Sequence, residues 1–198
     1  MNQTGNTILI TGGGSGIGRE LARRFHDAGN TVIVAGRRSD ALEETIAGRP
    51  AMHALTLDVE DPAAITAFAA RLVQDHPALN VLINNAGIMR IEDLTATRDL
   101  ADAEATIVTN LLAPIRLSNA LVDHLSGRAG AAIVNVTSGL AFVPLIRTPT
   151  YSAAKAALHS YTISLREQLR GAVEVIELAP PAVQTELTPG QSTRDGYM

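Results

Sequence analysis

Six short apolar runs, each followed by a segment of helical length, restrict this chain to few architectures. They are TILIT (7–11), TVIVAG (31–36), MHALTLD (52–58), NVLINNAG (80–87), AAIVNVTS (131–138) and AVEVIELA (172–179). Strands that read as unbroken apolar runs are covered on both faces, and their alternation with helices is the signature of a parallel sheet. Between the first two runs, Ile17, Leu21, Phe25 and Ala28 fall three or four apart, which predicts an apolar helix face, and Gly29 supplies its stop. The sequence thus predicts an α/β chain: a doubly wound parallel sheet with helices on both faces. At 198 residues it reads as one domain over 1–187, without linker or repeat. From Thr188 the sequence turns polar and aperiodic, so 188–198 reads as a tail.

Composition removes several functions. With 46% hydrophobic and 18% charged residues the chain is too apolar to be disordered, and it lacks the long uncharged run expected of a membrane span. A net charge of -4 gives no electrostatic basis for a nucleic-acid or anionic-membrane partner. With no cysteine, disulfides, thiolate metal sites and cysteine nucleophiles are excluded. His26, His53, His76, His124 and His159 show no paired ligand spacing, so no metal is expected, and His159 is assigned to a contact with a neighbouring helix. The start MNQTGNTILITG has no secretory pattern, which makes the cytoplasm the expected compartment.

The first run leads into TGGGSGIG (11–18) at the opening of a helix. Glycines there let backbone N–H groups approach a phosphate, which then sits against the positive end of the helix dipole. The register is T-G-x-x-x-G-x-G, and Gly12, Gly14, Ser15, Gly16, Ile17 and Gly18 are the expected contacts of a dinucleotide pyrophosphate in a Rossmann-like fold. At the end of the second run, VAGRRSD places Gly36 where an acid would bind ribose hydroxyls, followed by Arg37 and Arg38. Guanidinium forks match phosphate oxygens, so NADP(H) is favoured over NAD(H), with Arg37 as the contact; both arginines also read as solvated loop residues, and Asp40 blunts the argument.

Lys155 is the only lysine in the chain, four residues after Tyr151 in YSAAK. The surrounding composition is that of a long helix with Thr148 as its cap and Pro149 at its first position, so the two side chains share a face. An ammonium about 4 Å from a phenol, at an effective dielectric near 20, would lower the phenol's pKa by roughly 3 units from about 10. That is the range useful for proton transfer. Ser138 stands at the carboxyl end of the fifth run, where open α/β sheets bind ligands, with a hydroxyl that could hold a substrate oxygen.

Taken together, TGGGSGIG (11–18), NNAG (84–87), Asn110 in VTNLLAP, Ser138 and YSAAK (151–155), in this order and over nearly the whole chain to Thr185, resemble the short-chain dehydrogenase/reductase family. The resemblance implies that Tyr151 is the general acid/base and that Lys155 lowers its pKa and binds the nicotinamide ribose. Ser138 would orient the substrate oxygen, and Asn110 would hold a water that extends the proton relay. Asp58 and Val59 match positions that meet adenine, Asn85, Ala86 and Gly87 match those beside the adenosine ribose and the sheet, and Val183 and Thr185 match contacts to the carboxamide. Pro181 replaces a usual glycine and stiffens that turn. Taken singly, Asn84, Asn85 and Gly87 also read as a turn, Asn110 as a helix-terminus cap and Asp58 as a cap of the next helix. The resemblance further implies a homo-dimer or homo-tetramer formed through the Tyr151 helix. Its face with Leu158, Tyr161 and Leu165 is apolar enough for that, and equally able to pack on the sheet. It also implies a substrate-covering segment after the sixth strand, so the C-terminal part is expected to be incomplete and the chain to continue past Met198.

Two functions follow. One is an enzyme moving a hydride between NADP(H) and a carbonyl/alcohol pair, on a small-molecule substrate met by the apolar stretches GIM (87–89) and GLAFVPLIRTP (139–149). The other is a non-catalytic NAD(P)-binding sensor. The set Asn110, Ser138, Tyr151 and Lys155 favours the enzyme, because a sensor needs no proton relay.

Overall fold

The computed structural model describes residues 1–181 and 183, so Thr185 and the 188–198 tail lie outside the described residues. Six parallel strands, β1 (Thr7–Thr11), β2 (Thr31–Gly36), β3 (Met52–Thr56), β4 (Leu79–Asn84), β5 (Ala132–Val136) and β6 (Glu174–Leu178), form one sheet in the order β3-β2-β1-β4-β5-β6. The doubly wound expectation holds. The chain runs outward from β1 to β3 and then returns to the other side of β1, so the connections after β1 and β4 diverge and leave a crevice at their carboxyl ends.

Successive strand side chains point to opposite faces, and both faces are covered. Leu9, Ile33, Leu82 and Ile133 are buried under α3 (Pro62–Asp75) and α5 (Ala113–Ser126) with Leu72, Leu117, Leu121 and Leu125. Ile8, Ile10, Val32, Val34, Val81 and Ile83 are buried on the other face with Ala22 of α1 (Gly16–Asp27) and Leu42 of α2 (Ser39–Ile46). This two-sided burial explains the continuous apolar runs.

The contact face of α1 includes Leu21 and Phe25 of the expected set. Its buried residues are Gly18 and Ala22, while Leu21 and Phe25 are half-buried and Ala28 is exposed. Leu21 and Phe25 pack against the core as the spacing predicts, and the small residues beside them let the helix lie close to the sheet.

Residues Ala101–Ser126 form one long helical stretch: α4 (Ala101–Ile107), a wide π turn (Val108–Leu112) and α5. By length and composition it is apolar enough to cross a membrane, although Arg116 interrupts it, and its leucine stripe is buried in the sheet core. The Tyr151 helix, α6, spans Pro149–Gln168. Leu158 is fully buried, Leu165 packs on the core and Tyr161 hydrogen-bonds Ser118 of α5, so the face offered for self-association is used within the chain.

Candidate active site

The glycine loop is held from both sides of the crevice. The Thr11 hydroxyl accepts the Asn85 and Ala86 N–H groups, each at 3.1 Å, and Asn85 Nδ2 donates to the carbonyls of Thr11 (2.9 Å) and Gly12 (3.3 Å). Asn85 is therefore a staple between the β4 end and the loop, more than a simple turn residue. Gly12 has φ +66°, and a Cβ there would lie 2.9 Å from Ala86 Cα. A Cβ on Gly18 would lie 2.3 Å from the Gly12 carbonyl oxygen and 2.4 Å from Asn85 Nδ2. Arg19 donates from Nε to the Gly14 carbonyl at 3.0 Å and pairs with Glu44. Ser15 stands at the N-cap of α1 without a side-chain cap bond. The first-turn N–H groups of a twelve-residue helix thus face the loop, which suits an anion.

Beside the loop, Gly12, Gly14, Ser15, Gly36, Arg37, Arg38, Ala41 and Leu42 line a hollow of about 140 Å³. A larger one of about 550 Å³, lined by Met1, Leu21, Phe25 and Ile176 among others, includes none of the site residues. The smaller one adjoins the glycine loop. Arg37 is not idle: it donates to Glu60 Oε1 at 3.1 Å, and Glu60 also accepts the Thr109 hydroxyl at 3.1 Å. Asp58 accepts the Glu60 N–H at 2.9 Å and does not cap the next helix; Asp61 does, through Ala63 and Ala64. The Val59 side chain is buried in the core, which leaves only its backbone for a ligand.

On the other side of the crevice, β5 leads into a short 3-10 turn (Gly139–Ala141) and then α6. Ser138 accepts the Leu140 N–H at 3.1 Å and hydrogen-bonds Tyr151, the third residue of α6. Tyr151 is 6% exposed. Lys155, one turn on, is buried, with Nζ 5.7 Å from the Tyr151 ring centroid and donating to the Val136 carbonyl at 2.8 Å.

The electrostatics correct the sequence expectation. Burial pushes the Tyr151 phenol above its ordinary value, and the group that opposes this is Ser138. Burial also lowers Lys155 to about 8. The 3-unit depression expected from Lys155 counted only the attraction between the two groups; the dominant cost here is removing both from water.

Asn110 is fully buried in the middle of the π turn. It caps no helix end: Nδ2 donates to the carbonyls of Ile88 (2.8 Å) and Thr106 (2.9 Å), and Oδ1 is buried without a partner. A Cβ on Gly87 would lie 2.7 Å from that oxygen and 3.8 Å from Lys155 Nζ, so Gly87 keeps open the space between them. Val183 is exposed on the run after β6, where the Pro180 carbonyl accepts the Gly139 N–H at 3.1 Å. His159 pairs with a strand rather than taking part in the site: its Nδ1 meets Glu177 of β6 at 2.8 Å, and its ring lies edge-on to Phe142 at the end of the 3-10 turn. Among the described residues no group of three metal-ligating side chains occurs. Glu60, Arg19 and, below, Glu92 carried no local sequence signal, because their partners lie on other elements.

A helix N-terminus prepared for a dinucleotide, sharing a crevice with a buried tyrosine, serine and lysine, places this fold among the nicotinamide-dependent oxidoreductases of alcohols and carbonyls. The chain belongs to the short-chain dehydrogenase/reductase family: the profile of the family described as short chain dehydrogenase matches residues 6–195. The uncharacterized oxidoreductase DltE of Bacillus subtilis (strain 168) is 47% identical over 197 residues, which is 98% of this chain and 77% of that protein. Sulfoacetaldehyde reductase 2 of Chromohalobacter salexigens is 36% identical over 91% of this chain and 74% of its own length. Among solved structures, 3-ketoacyl-(acyl-carrier-protein) reductase from Brucella melitensis, complexed with NADH, superposes with a TM-score of 0.87 at 26% identity, covering 94% of this chain and 79% of that one.

Proposed function

We propose that the protein reduces a small aldehyde or ketone with NADPH, and catalyses the reverse oxidation, with Tyr151 as general acid/base. The observation that carries this is the buried Tyr151–Ser138 hydrogen bond with Lys155 one turn away, across the crevice from the glycine loop. When bound, the nicotinamide supplies or accepts the hydride. Tyr151 gives its proton to the carbonyl oxygen, and its raised pKa keeps that proton in place at neutral pH. Ser138 fixes the oxygen's position beside the phenol. Lys155, with a pKa of about 8, is roughly nine-tenths charged at pH 7 and stabilises negative charge developing at Tyr151. The unpaired Asn110 Oδ1 is the acceptor for a water that passes the proton onward.

NADP(H) is favoured by the hollow that Arg37 and Arg38 line beside Gly36, which stands in the place of an acid that would repel a 2′-phosphate. The substrate is read as carrying an apolar part, since Phe142, Val143 and Ile146, close after Ser138, are exposed, as is Ile91. Assembly as a homo-dimer or homo-tetramer through α6 would use Ile163, the large apolar residue exposed on that helix. The test is NADPH absorbance against a panel of aldehydes and ketones, with Tyr151→Phe as control. Loss of about a hundredfold or more in the variant is expected. Equal rates would remove the catalytic assignment, and nucleotide binding without turnover would favour the sensor.

A further inference from the structure

The start of α6 is capped from a distant part of the chain. Thr148 occupies the N-cap position, as the sequence predicts, yet its hydroxyl is buried without a partner and makes no cap bond. The first-turn donor goes instead to Glu92, in the loop after β4: Oε1 accepts the Thr150 N–H at 2.9 Å and Oε2 accepts the Thr150 hydroxyl at 2.6 Å. The Glu92 side chain is 2% exposed, and its counter-charge is Arg98, which also holds Asp102 of α4 at 2.6 Å. The Glu92 N–H donates to the Arg147 carbonyl at 3.0 Å, joining the two loops that flank the crevice. Thr150 immediately precedes Tyr151.

We propose that Glu92 is the positioning residue of the active site: it fixes the first turn of α6, and so the Tyr151 hydroxyl, relative to Ser138. A carboxylate at a helix N-terminus is favoured by the dipole and by charge-assisted bonds to the unpaired N–H groups. Burying one is costly, and here every bond it makes acts on the turn that carries the tyrosine or on the loop facing it. The bonds that shape the glycine loop involve none of these residues. The inference rests on the reading of Tyr151 given above.

Three variants separate the contacts. Glu92→Gln keeps an acceptor for the Thr150 N–H but loses the charge that faces Arg98, Thr150→Val removes only the hydroxyl donor, and Glu92→Ala removes all acceptors. Misplacement of a reacting group by about 1 Å costs up to about a hundredfold. The expected result is a kcat for carbonyl reduction about tenfold lower in Glu92→Gln and Thr150→Val, lower still in Glu92→Ala, with the NADPH Kd within about twofold of wild type. A second readout needs no turnover: the Tyr151 ionisation, taken as tyrosinate absorbance of each protein minus that of its Tyr151→Phe counterpart, should move in both milder variants. Should Glu92→Ala fail to fold, those two decide the matter. Wild-type kcat with an unmoved Tyr151 ionisation in both overturns the inference, as does a loss of kcat that merely follows loss of NADPH binding. If wild type itself turns over no substrate, the functional reading falls, and the tyrosinate titration alone decides the role of Glu92.

Discussion

Lys155 Nζ donates to the Val136 carbonyl at 2.8 Å, on the strand that leads through Thr137 to Ser138. The lysine thereby anchors α6 to β5 through an uncharged acceptor, and among the described residues no carboxylate offsets the burial of its charge, which lowers its pKa.

That burial has a thermodynamic signature. The folded-state pKa of about 8 lies below the ordinary 10.5, so between these values the unfolded chain binds more protons. Stability should rise with pH across that window, and below about pH 8 the full cost, on the order of 3 kcal/mol, is present. Urea unfolding of wild type and Lys155→Met from pH 7 to 10.5 checks this: wild type should gain on the variant as pH rises. Parallel curves would show that burial leaves the Lys155 pKa where it stands in the unfolded chain, and would overturn the lowered value.

The same value governs activity. Carbonyl reduction should fall as pH passes about 8, because Lys155 loses its charge while Tyr151 keeps its proton. Ser138→Ala removes the bond that holds the phenol down, so the Tyr151 midpoint should rise further and kcat should drop about a hundredfold. Paired pH–rate and tyrosinate titrations would register both effects; a midpoint that falls contradicts the assignment of Ser138.

Gly18→Ala tests the cradle. Its Cβ would meet the Gly12 carbonyl and Asn85 Nδ2, both backed by backbone, and such overpacking costs about 1–3 kcal/mol. NADPH binding should weaken by about tenfold or more if the loop gives way locally. Fluorescence titration together with a thermal melt distinguishes a displaced loop from an unfolded chain.

Glu60 competes for Arg37. Glu60→Gln should release the guanidinium and raise affinity for NADPH relative to NADH, whereas Arg37→Asp should shift preference toward NADH. Measured dissociation constants for both nucleotides supply the ratio, and a ratio unchanged in both variants would take Arg37 out of the site.

The sheet was legible because burial on both faces writes itself as continuous apolar runs, and the glycine loop because close backbone approach leaves only glycine at positions such as Gly18. Tyr151, Ser138 and Lys155 were legible by spacing and strand ends. What escaped were relations between distant segments. Glu92 looks like any loop acid until Thr150 is brought to it, and Arg37 like a free cation until Glu60 arrives from beyond β3. The phenol's acidity was misjudged for a related reason: the depth at which a residue pair is buried is a property of the packed molecule, absent from the four-residue interval.

The wide turn at Val108–Leu112 carries one more residue than an ordinary coil would hold, and Asn110 stands in its middle. Loss of a single residue there would leave a continuous helix with intact backbone bonding. Because each α-helical residue turns about 100°, either the amide or the leucines at 117, 121 and 125 would swing out of place. One surplus residue thus keeps the two halves of this rod in phase with separate jobs, one facing the crevice and the other the sheet.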